Sequence, residues 1–526
     1  MSSLHAETRE ASTAPRAAVD IGAAADVGPV EEAAFEKQDL VNDDEALKYL
    51  NNHVIQVTPE EEKAVLRKID WRVIPLLMAI NCIQLIDKVT ISTAATYGMI
   101  TEANLVGQEY SLLVTMFYLG YIVAEYPSLY LMQRFPTGKY MTVNFVLWGV
   151  VLTCAGAATD FAGLATCRVL LGVFEAPLNA GMILVTASWW TKEEQPRRLG
   201  LWYSAIGFVN LFVVLIFYGV AHIQVGNMFP YQWVFIISGL VTVLFGISLW
   251  WLLPSSPMTC RFLNDREKTI AIQRVLHNQT GIKNAHQKRY QVVEALTDPK
   301  VWILVLCVFF HNMTNALQTS FTGLIIKGFG FTTYKTLLMT MPQSAIAAVC
   351  CLVVTWFLGS TYGQNTRILL CIVCYLPGVV GTALLYSIPV TSSTLSVHLF
   401  AIYFINTITT CASIIYSLMA SNVGGYTKKS IANTMVFIGY SVANIVSPQT
   451  FLSREAPRYP TGVAVTLASF CAVILLLVVL YFLYVAENKR RDQEAAGTSP
   501  ITDDERMRTA FHDFTDKENR MMRYAL

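Results

Sequence analysis

Charged residues are scarce in this 526-residue chain: Asp, Glu, Lys and Arg make up 14% of it, against 54% hydrophobic residues. A soluble domain usually carries about 25% charged residues. This number of charges is too small to cover the surface of a soluble fold of this length. Lipid must therefore be the solvent for much of the chain. The formal net charge of +1 gives no reason to expect a nucleic-acid partner, and we predict none.

The sequence also lacks the motifs of several enzyme classes. There is no GxxxxGK[ST] phosphate-binding loop, and no HExxH zinc motif occurs among the eight histidines. Eleven cysteines are present, but ten lie within apolar runs and Cys260 lies in a charged loop. This placement favours small apolar packing over a disulfide framework or a metal site. We therefore predict neither an ATP-driven pump nor an enzyme, and no cofactor or metal.

Long apolar runs are abundant. A membrane helix needs about 20 mostly apolar residues, and twelve such runs occur, six on each side of a polar connector. They predict an all-α membrane protein with twelve transmembrane helices in two six-helix halves. The predicted segments are a disordered cytosolic N-terminal tail at 1–68, the N-terminal half at 69–253, the connector at 254–298, the C-terminal half at 299–487 and a cytosolic C-terminal tail at 488–526.

Two local patterns refine this division. TPEEEK, near Thr58–Lys68, resembles a helix start, so a short helix is expected there, and no apolar stretch in 1–68 suits a cleavable signal peptide. Lys and Arg flank the first and last runs and recur in loops 2–3, 4–5 and 10–11, but the segments 98–109 and 221–231 contain neither. This asymmetry predicts cytosolic termini in a multi-pass protein, which we assign to the plasma membrane.

A few ionisable side chains fall inside the predicted spans. They are Asp87, Lys88, Glu125, Arg168, Glu175 and His311. Such groups are costly in hydrocarbon, so each is a functional hypothesis. A rise of about 1.5 Å per residue puts Asp87, Lys88 and Arg168 at roughly the same depth, about 20 Å into a core of about 30 Å. Charges of opposite sign at matching depth suit a site that faces a central cavity.

Helical geometry limits how these charges are arranged. Asp87 and Lys88 are neighbours, about 100° apart on a helix, so one can face the cavity while the other pairs with an adjacent helix. The sequence leaves open which does which. Arg168 and Glu175 are seven residues apart and share one face of span 4. They could handle substrate or protons, or they could clamp two helices together.

Several strings, in order, resemble a known family. They include LIDKVTISTAATYG in span 1, RVLLGVFEAPLNAG in span 4 and NVGGYTKKSIANTMVFIGYSVANIVSPQTF near span 11. From about Lys68 to Lys489 the chain resembles the major facilitator superfamily, and within it the fungal allantoate permease branch of the anion:cation symporter family. One departure is the loop after span 2, QRFPTGK, which keeps Arg134 and Lys139 but lacks the family's acidic residue.

The resemblance implies a secondary active transporter of a small organic anion, a carboxylate or vitamin-like acid such as allantoate. Proton symport by alternating access is the implied mechanism, in a protein that we expect to be a monomer. Export of a secondary metabolite and a non-transporting nutrient sensor are the alternatives. The predicted substrate or proton site contains Asp87, Lys88, Arg168, Glu175 and His311, with Asn315 and Asn406 added on depth and polarity. Glu125, Arg134 and Lys139 are the predicted gating residues.

Overall fold

The computed structural model describes residues 57–191, 194–220, 222–223, 228–276, 288–358, 365–496, 514–519 and 522–526. These ranges are almost entirely helical and contain no β-strand. Most of the predicted N-terminal tail, the middle of the connector and part of the C-terminal tail lie outside the described residues.

Eleven helices in the described ranges are long and apolar enough to cross a membrane, and a twelfth, of 26 residues, takes the fifth place. The prediction of an all-α bundle in two six-helix halves is confirmed. The membrane helices are α1 Pro59–Thr96, α2 Glu109–Arg134, α3 Thr137–Ala155, α4 Phe161–Trp189, α5 Gln195–Val220, α6 Pro230–Leu252, α7 Pro299–Gly328, α8 Thr333–Leu358, α9 Arg367–Ser387, α10 Leu395–Asn422, α11 Tyr426–Val446 and α12 Pro460–Ala496. We call the face at which α1 begins and α12 ends the terminal face, and the opposite one the distal face.

Both ends of the bundle extend beyond their predicted boundaries. Thr58 and Glu61 form a capping box and Pro59 occupies the first turn, so α1 starts inside the segment predicted as tail. The short helix expected there is the beginning of α1, which continues through Pro75. At the other end α12 continues into the predicted C-terminal tail as far as Ala496, where the pair Arg491–Glu487 at i,i+4 supports its charged last turns.

Two membrane helices are irregular near their middles. In α7 a π-helical segment, Leu317–Phe321, separates Pro299–Asn312 from Thr322–Gly328. In α10 a 3₁₀ segment, Asn406–Thr410, lies between two α-helical parts. Such segments within a helix are frequent at functional sites and hinges.

The two halves repeat one pattern of neighbours. In the N-terminal half, α1 packs on α5 and α6, while α4 packs on α2 and α3, and α3 also packs on α6. In the C-terminal half, α7 packs on α11 and α12, while α10 packs on α8 and α9, and α9 also packs on α12. The halves meet through α2 against α11 and α5 against α8. This repetition fits a duplicated six-helix unit, which hydropathy alone suggested.

The connector holds one helix against each half. The first, Asp265–Leu276, lies at the terminal face of the N-terminal half, where Arg274 bridges Glu62 at 2.9 Å and Glu194 at 2.7 Å. Glu267 of the same connector helix accepts a hydrogen bond from the Lys68 ammonium of α1, which holds the pKa of the Glu267 carboxyl below its usual range. The second connector helix, Arg289–Thr297, packs on α11 of the C-terminal half.

Glycines bring α2 and α4 into backbone contact. A Cβ on Gly172 would lie 2.0 Å from the carbonyl oxygen of Phe117, and one on Gly120 would lie 2.1 Å from that of Val169. Such close approach is typical of small-residue packing between membrane helices. It fixes the position of α4, which carries Arg168 and Glu175.

We predict that Gly172→Ala destabilises the protein by about 1–3 kcal/mol, because the added methyl group has no room beside the α2 backbone. Gly219→Ala is the matched control, since a Cβ there meets nothing within 4 Å. The control should be neutral or up to about 1 kcal/mol more stable. Thermal unfolding of the purified proteins in detergent measures both, and equal melting temperatures for the two variants would contradict the packing described.

Candidate functional site

The two halves close against each other at the distal face. The Tyr110 hydroxyl donates to the Ser320 carbonyl at 2.8 Å, and Thr115 donates to the Ile445 carbonyl at 3.0 Å. Nearby, the rings of Phe321 and Phe451 stack with centroids 4.3 Å apart. These contacts join α2 to α7 and α11 and seal the bundle on this side.

A cavity of about 200 Å³ lies between the halves next to this seal. The N-terminal half lines it with charged and apolar side chains, and the C-terminal half with amides and hydroxyls. Its polar lining residues are Asp87, Lys88, Tyr118 and Arg168 from the first half and Asn312, Asn315, Thr319, Ser320, Tyr416 and Tyr440 from the second. Four of the predicted site residues therefore lie on the wall of one cavity.

Lys88 is the most exposed of the three charged side chains on the cavity wall. Its side chain is 34% exposed, whereas Glu175 is fully buried, and its Nζ lies 3.6 Å from Glu175 Oε1. A direct charge-assisted hydrogen bond would be about 2.7–2.9 Å long, so this ion pair is loose. Both neighbours on α1 line the cavity, but Lys88 is the exposed one, and its ion pair with Glu175 joins α1 to α4.

Asp87 points from the same turn of α1 into the interior of the N-terminal half. It is buried and accepts a hydrogen bond from Trp148 Nε1 on α3 at 3.3 Å. Arg168 is buried beside it, attracts the carboxylate electrostatically, and places its guanidinium 5.8 Å from the centroid of the Phe235 ring. The site thus holds two cations and two carboxylates: Lys88 and Glu175 form a loose ion pair, and Arg168 attracts Asp87 electrostatically without a direct ion pair.

Asn315 joins the halves across the cavity. Its amide nitrogen donates to the Tyr118 hydroxyl of α2 at 3.1 Å and to Asn444 Oδ1 of α11 at 2.6 Å. Asn444 in turn donates to Asn312 Oδ1 at 3.4 Å. The C-terminal half therefore offers a neutral hydrogen-bonding wall, held in place by this amide network.

Two predicted site residues lie elsewhere in the C-terminal half. The Nδ1 of His311 is 2.6 Å from the Tyr375 hydroxyl on α9, and Asn406 donates to Gln343 on α8 at 3.3 Å. Neither is among the described residues that line the cavity. Both were selected for polarity within a span, and both use that polarity to bind another helix of their own half.

The predicted gating residues lie towards the terminal ends of α2 and α3. Glu125 is half-buried, and one of its carboxylate oxygens receives no hydrogen bond from the described residues. Arg134 lies over the Tyr130 ring at 4.7 Å, and Lys139 lies 5.8 Å from the Trp250 ring centroid. They stay apart from the cavity, and their gating role stays a prediction.

Some residues of the cavity wall and of its amide network were not predicted from the sequence. Asn312 and Asn444 are amides inside predicted spans, so the criterion that selected Asn315 would also have found them. The tyrosines at 118, 416 and 440 carried no such signal, because the chain has 24 tyrosines and an aromatic ring in a membrane helix is ordinary.

Comparison with known proteins decides the family. Residues 77–448 match the family described as the Major Facilitator Superfamily. The chain belongs to this superfamily. It is 35% identical to an uncharacterized transporter of Schizosaccharomyces pombe, over 94% of this chain and 92% of the relative. It is 30% identical to the allantoate permease of Saccharomyces cerevisiae, over 92% and 90%, and 32% identical to a thiamine pathway transporter of the same yeast, over 94% and 91%.

Solved structures of the superfamily share the fold. The crystal structure of a D-xylose-proton symporter aligns with a TM-score of 0.61 at 13% identity, over 78% of this chain and 97% of that one. The resemblance to the allantoate permease branch is confirmed by the curated relatives. This protein is thus a multi-pass membrane transporter of the superfamily and not an enzyme.

The Lys88–Glu175 pair predicts a non-additive pattern of stability. Lys88→Met leaves Glu175 as a buried carboxylate without its cation, and we expect a loss of up to about 3 kcal/mol, limited by the partial exposure of Lys88. The double variant Lys88→Met/Glu175→Gln should regain most of this loss, because no charge is then left unpaired. Thermal unfolding measures the cycle, with Lys335→Met as an exposed-lysine control. Additive effects of the two single substitutions would show that the pair is not coupled.

Proposed function

We propose that this transporter carries a small organic anion, of the carboxylate or vitamin-like acid class, together with protons. The observation that carries the proposal is a single charge relationship: Lys88 is exposed to the cavity and only loosely paired with the buried Glu175. A lysine in that position can exchange its protein carboxylate for a carboxylate of the solute.

The size and lining of the cavity support a small, polar solute. A volume of about 200 Å³ is below the roughly 300–1,000 Å³ of pockets for drug-sized ligands. A carboxylate at Lys88 would place the rest of the solute against Asn315 and the Tyr416 and Tyr440 hydroxyls. These neutral groups can donate and accept hydrogen bonds, so they suit the amide, hydroxyl or ureido groups of such acids.

Proton coupling follows from the cost of leaving Glu175 unpaired. When the solute carboxylate draws Lys88 away, Glu175 becomes an isolated charge in a fully buried position. A buried carboxylate without a partner is strongly disfavoured, and taking up a proton removes the charge. Anion binding and protonation of Glu175 therefore favour each other, and one proton accompanies the anion for each such event.

In this mechanism Arg168 is a positioning residue. It lies on the same face of α4 as Glu175. It also interacts electrostatically with Asp87, which is the neighbour of Lys88 on α1. Its charge attracts the buried Asp87 carboxylate. The Asp87–Arg168 pair thereby fixes α1 against α4 while the Lys88–Glu175 pair opens and closes.

We propose that the protein lies in the plasma membrane with its terminal face in the cytosol. Lys68, Arg134, Lys139 and Arg198 all lie at that face, as the positive-inside rule expects. The sealed distal face is then extracellular, so the cavity is closed to the outside. Rocking of the halves about the cavity, as a monomer, would expose Lys88 to the other side.

The substrate and the coupling ion can be tested together. We expect a panel of labelled organic acids, including allantoate and monocarboxylate vitamins, to contain one that cells expressing the protein accumulate faster at external pH 5 than at pH 7. A protonophore should abolish that accumulation. Accumulation that is unaffected by both pH and protonophore would reject proton symport. Proton-driven movement of labelled solute out of vesicles, into a medium that contains the solute at higher concentration, would favour the export alternative.

Substitutions at two residues separate anion binding from proton coupling. Lys88→Ala should lower uptake of the identified acid at least about 10-fold, because the cation facing the solute is lost, whereas Lys88→Arg should keep part of it. Glu175→Gln imitates the protonated carboxyl, so we expect exchange of internal for external solute to continue while uphill, proton-driven accumulation fails.

Lys335→Ala is the control for the loss of a lysine, and surface labelling checks that each variant reaches the membrane. Uphill accumulation by Glu175→Gln at the normal level would remove Glu175 from the proton pathway.

A further inference from the structure

The terminal face of the C-terminal half contains a peptide-binding surface. It is occupied by what we call the tail segment, residues 514–526, described at 514–519 and 522–526. Asn488 of α12 both accepts from the Tyr524 amide at 2.8 Å and donates to the Tyr524 carbonyl at 2.9 Å. Asn422 of α10 makes the same reciprocal pair with Ala525, at 2.7 and 3.0 Å. Two side-chain amides thus bind two consecutive backbone units, as a neighbouring strand would.

A buried ionic cluster anchors the other end of the tail segment. Lys428 of α11 is fully buried, and its ammonium lies 2.6 Å from Asp516, 2.6 Å from Asp298 and 2.9 Å from Glu294. The three carboxylates are within 4.8 Å of one another, a spacing that could hold a cation, and the lysine ammonium takes that place. One of the three belongs to the tail segment, so docking contributes a buried charge pair and not merely surface contact.

Tyr524 fills an aromatic and cationic pocket. Its ring stacks on Tyr484 of α12 with centroids 4.7 Å apart and an interplanar angle of 6°. Its hydroxyl accepts from Lys300 of α7 at 2.7 Å and donates to Asp516 at 2.8 Å. On the other side Arg491 lies over the ring at 4.7 Å. The side chain is 2% exposed, as expected for the anchor residue of a specific interface.

The helices bound by the tail segment are also cavity helices. Its partners Lys300, Asn422 and Lys428 belong to α7, α10 and α11, and the same helices supply Asn315, Tyr416 and Tyr440 to the cavity. All these partners lie within the C-terminal half. The tail segment therefore holds the terminal ends of the three cavity helices of its own half together.

We propose that this surface is a specific, reversible binding site for the protein's own tail segment. Its occupancy holds α7, α10 and α11 in one arrangement. Release of the tail segment frees the terminal ends of these helices and so changes the wall of the cavity. This inference concerns the mechanics of the C-terminal half and does not rest on the identity of the solute.

Hydrogen–deuterium exchange on the full-length protein in nanodiscs tests the proposal. Asp516→Asn removes one buried charge from the cluster at nearly constant shape. Because charge-assisted hydrogen bonds are lost, we expect exchange at the Tyr524 and Ala525 amides to rise about 10- to 100-fold. Lys517→Ala is the matched control: it removes a charge from the adjacent residue, which is 47% exposed and 3.8 Å from Asp298, and it should change exchange by less than about 3-fold.

The coupling to the cavity helices has its own readout. In Asp516→Asn the amides of the last turn of α10 and the first turn of α11 should also exchange faster, and a synthetic peptide of residues 514–526 added in excess should restore their protection. The same peptide carrying Asn at position 516 should not. Fast exchange of Tyr524 and Ala525 in the wild type would show that the site is not occupied. Faster exchange confined to the tail segment would show that it does not hold the helices.

Discussion

The structure depends on the pairing of charges that lie where water is scarce. An ionised side chain removed from water costs several kcal/mol unless an opposite charge and hydrogen bonds compensate for it. In the N-terminal half this compensation is partial: Asp87 accepts from Trp148 and is attracted by Arg168, and Glu175 has a loose ion pair with Lys88. The close approach of α2 and α4 at Gly120 and Gly172 holds α4 at the depth where its charges meet those of α1.

The two pairs differ in a way that suits transport. The Asp87 pair is buried and turned towards α3, so it behaves as part of the framework. The Lys88 pair is longer, and its cation is in contact with the cavity. In the proposed mechanism the loose pair costs less to open than a buried one, because a carboxylate of the solute would replace the carboxylate that Lys88 leaves. The C-terminal half lines the cavity with amides and hydroxyls. Exchange of ion-pair partners is therefore confined to the N-terminal half, and the C-terminal half supplies neutral hydrogen bonds.

Much of this arrangement is visible in the sequence, because the relevant patterns are local. Apolar runs predict the twelve helices, and the rise per residue predicts that Asp87, Lys88 and Arg168 lie at one depth. The direction in which each side chain points is harder to predict from the sequence. Asp87 and Lys88 point about 100° apart on their helix, and only the position of α4 decides which of them meets Glu175. His311 and Asn406 show the same limit: polarity in a span predicts a hydrogen bond, but not whether the partner is a solute or another helix.

The C-terminal contacts were inaccessible to such reasoning, because they join residues far apart in the chain. Asn422 and Asn488 bind backbone atoms of Tyr524 and Ala525, and nothing in the local sequence marks these asparagines as partners of a distant segment. Their consequence concerns flexibility. The irregular segment of α7, Leu317–Phe321, includes Ser320 and Phe321 of the distal seal, and that of α10, Asn406–Thr410, lies distal to the end held by the tail segment. With the terminal ends fixed, bending in the C-terminal half is concentrated at these segments, where the intrahelical hydrogen bonding is already altered. If the terminal ends were released, bending would no longer be confined to these two segments. Occupancy of the tail site therefore favours local bending beside the cavity over loosening of whole helices.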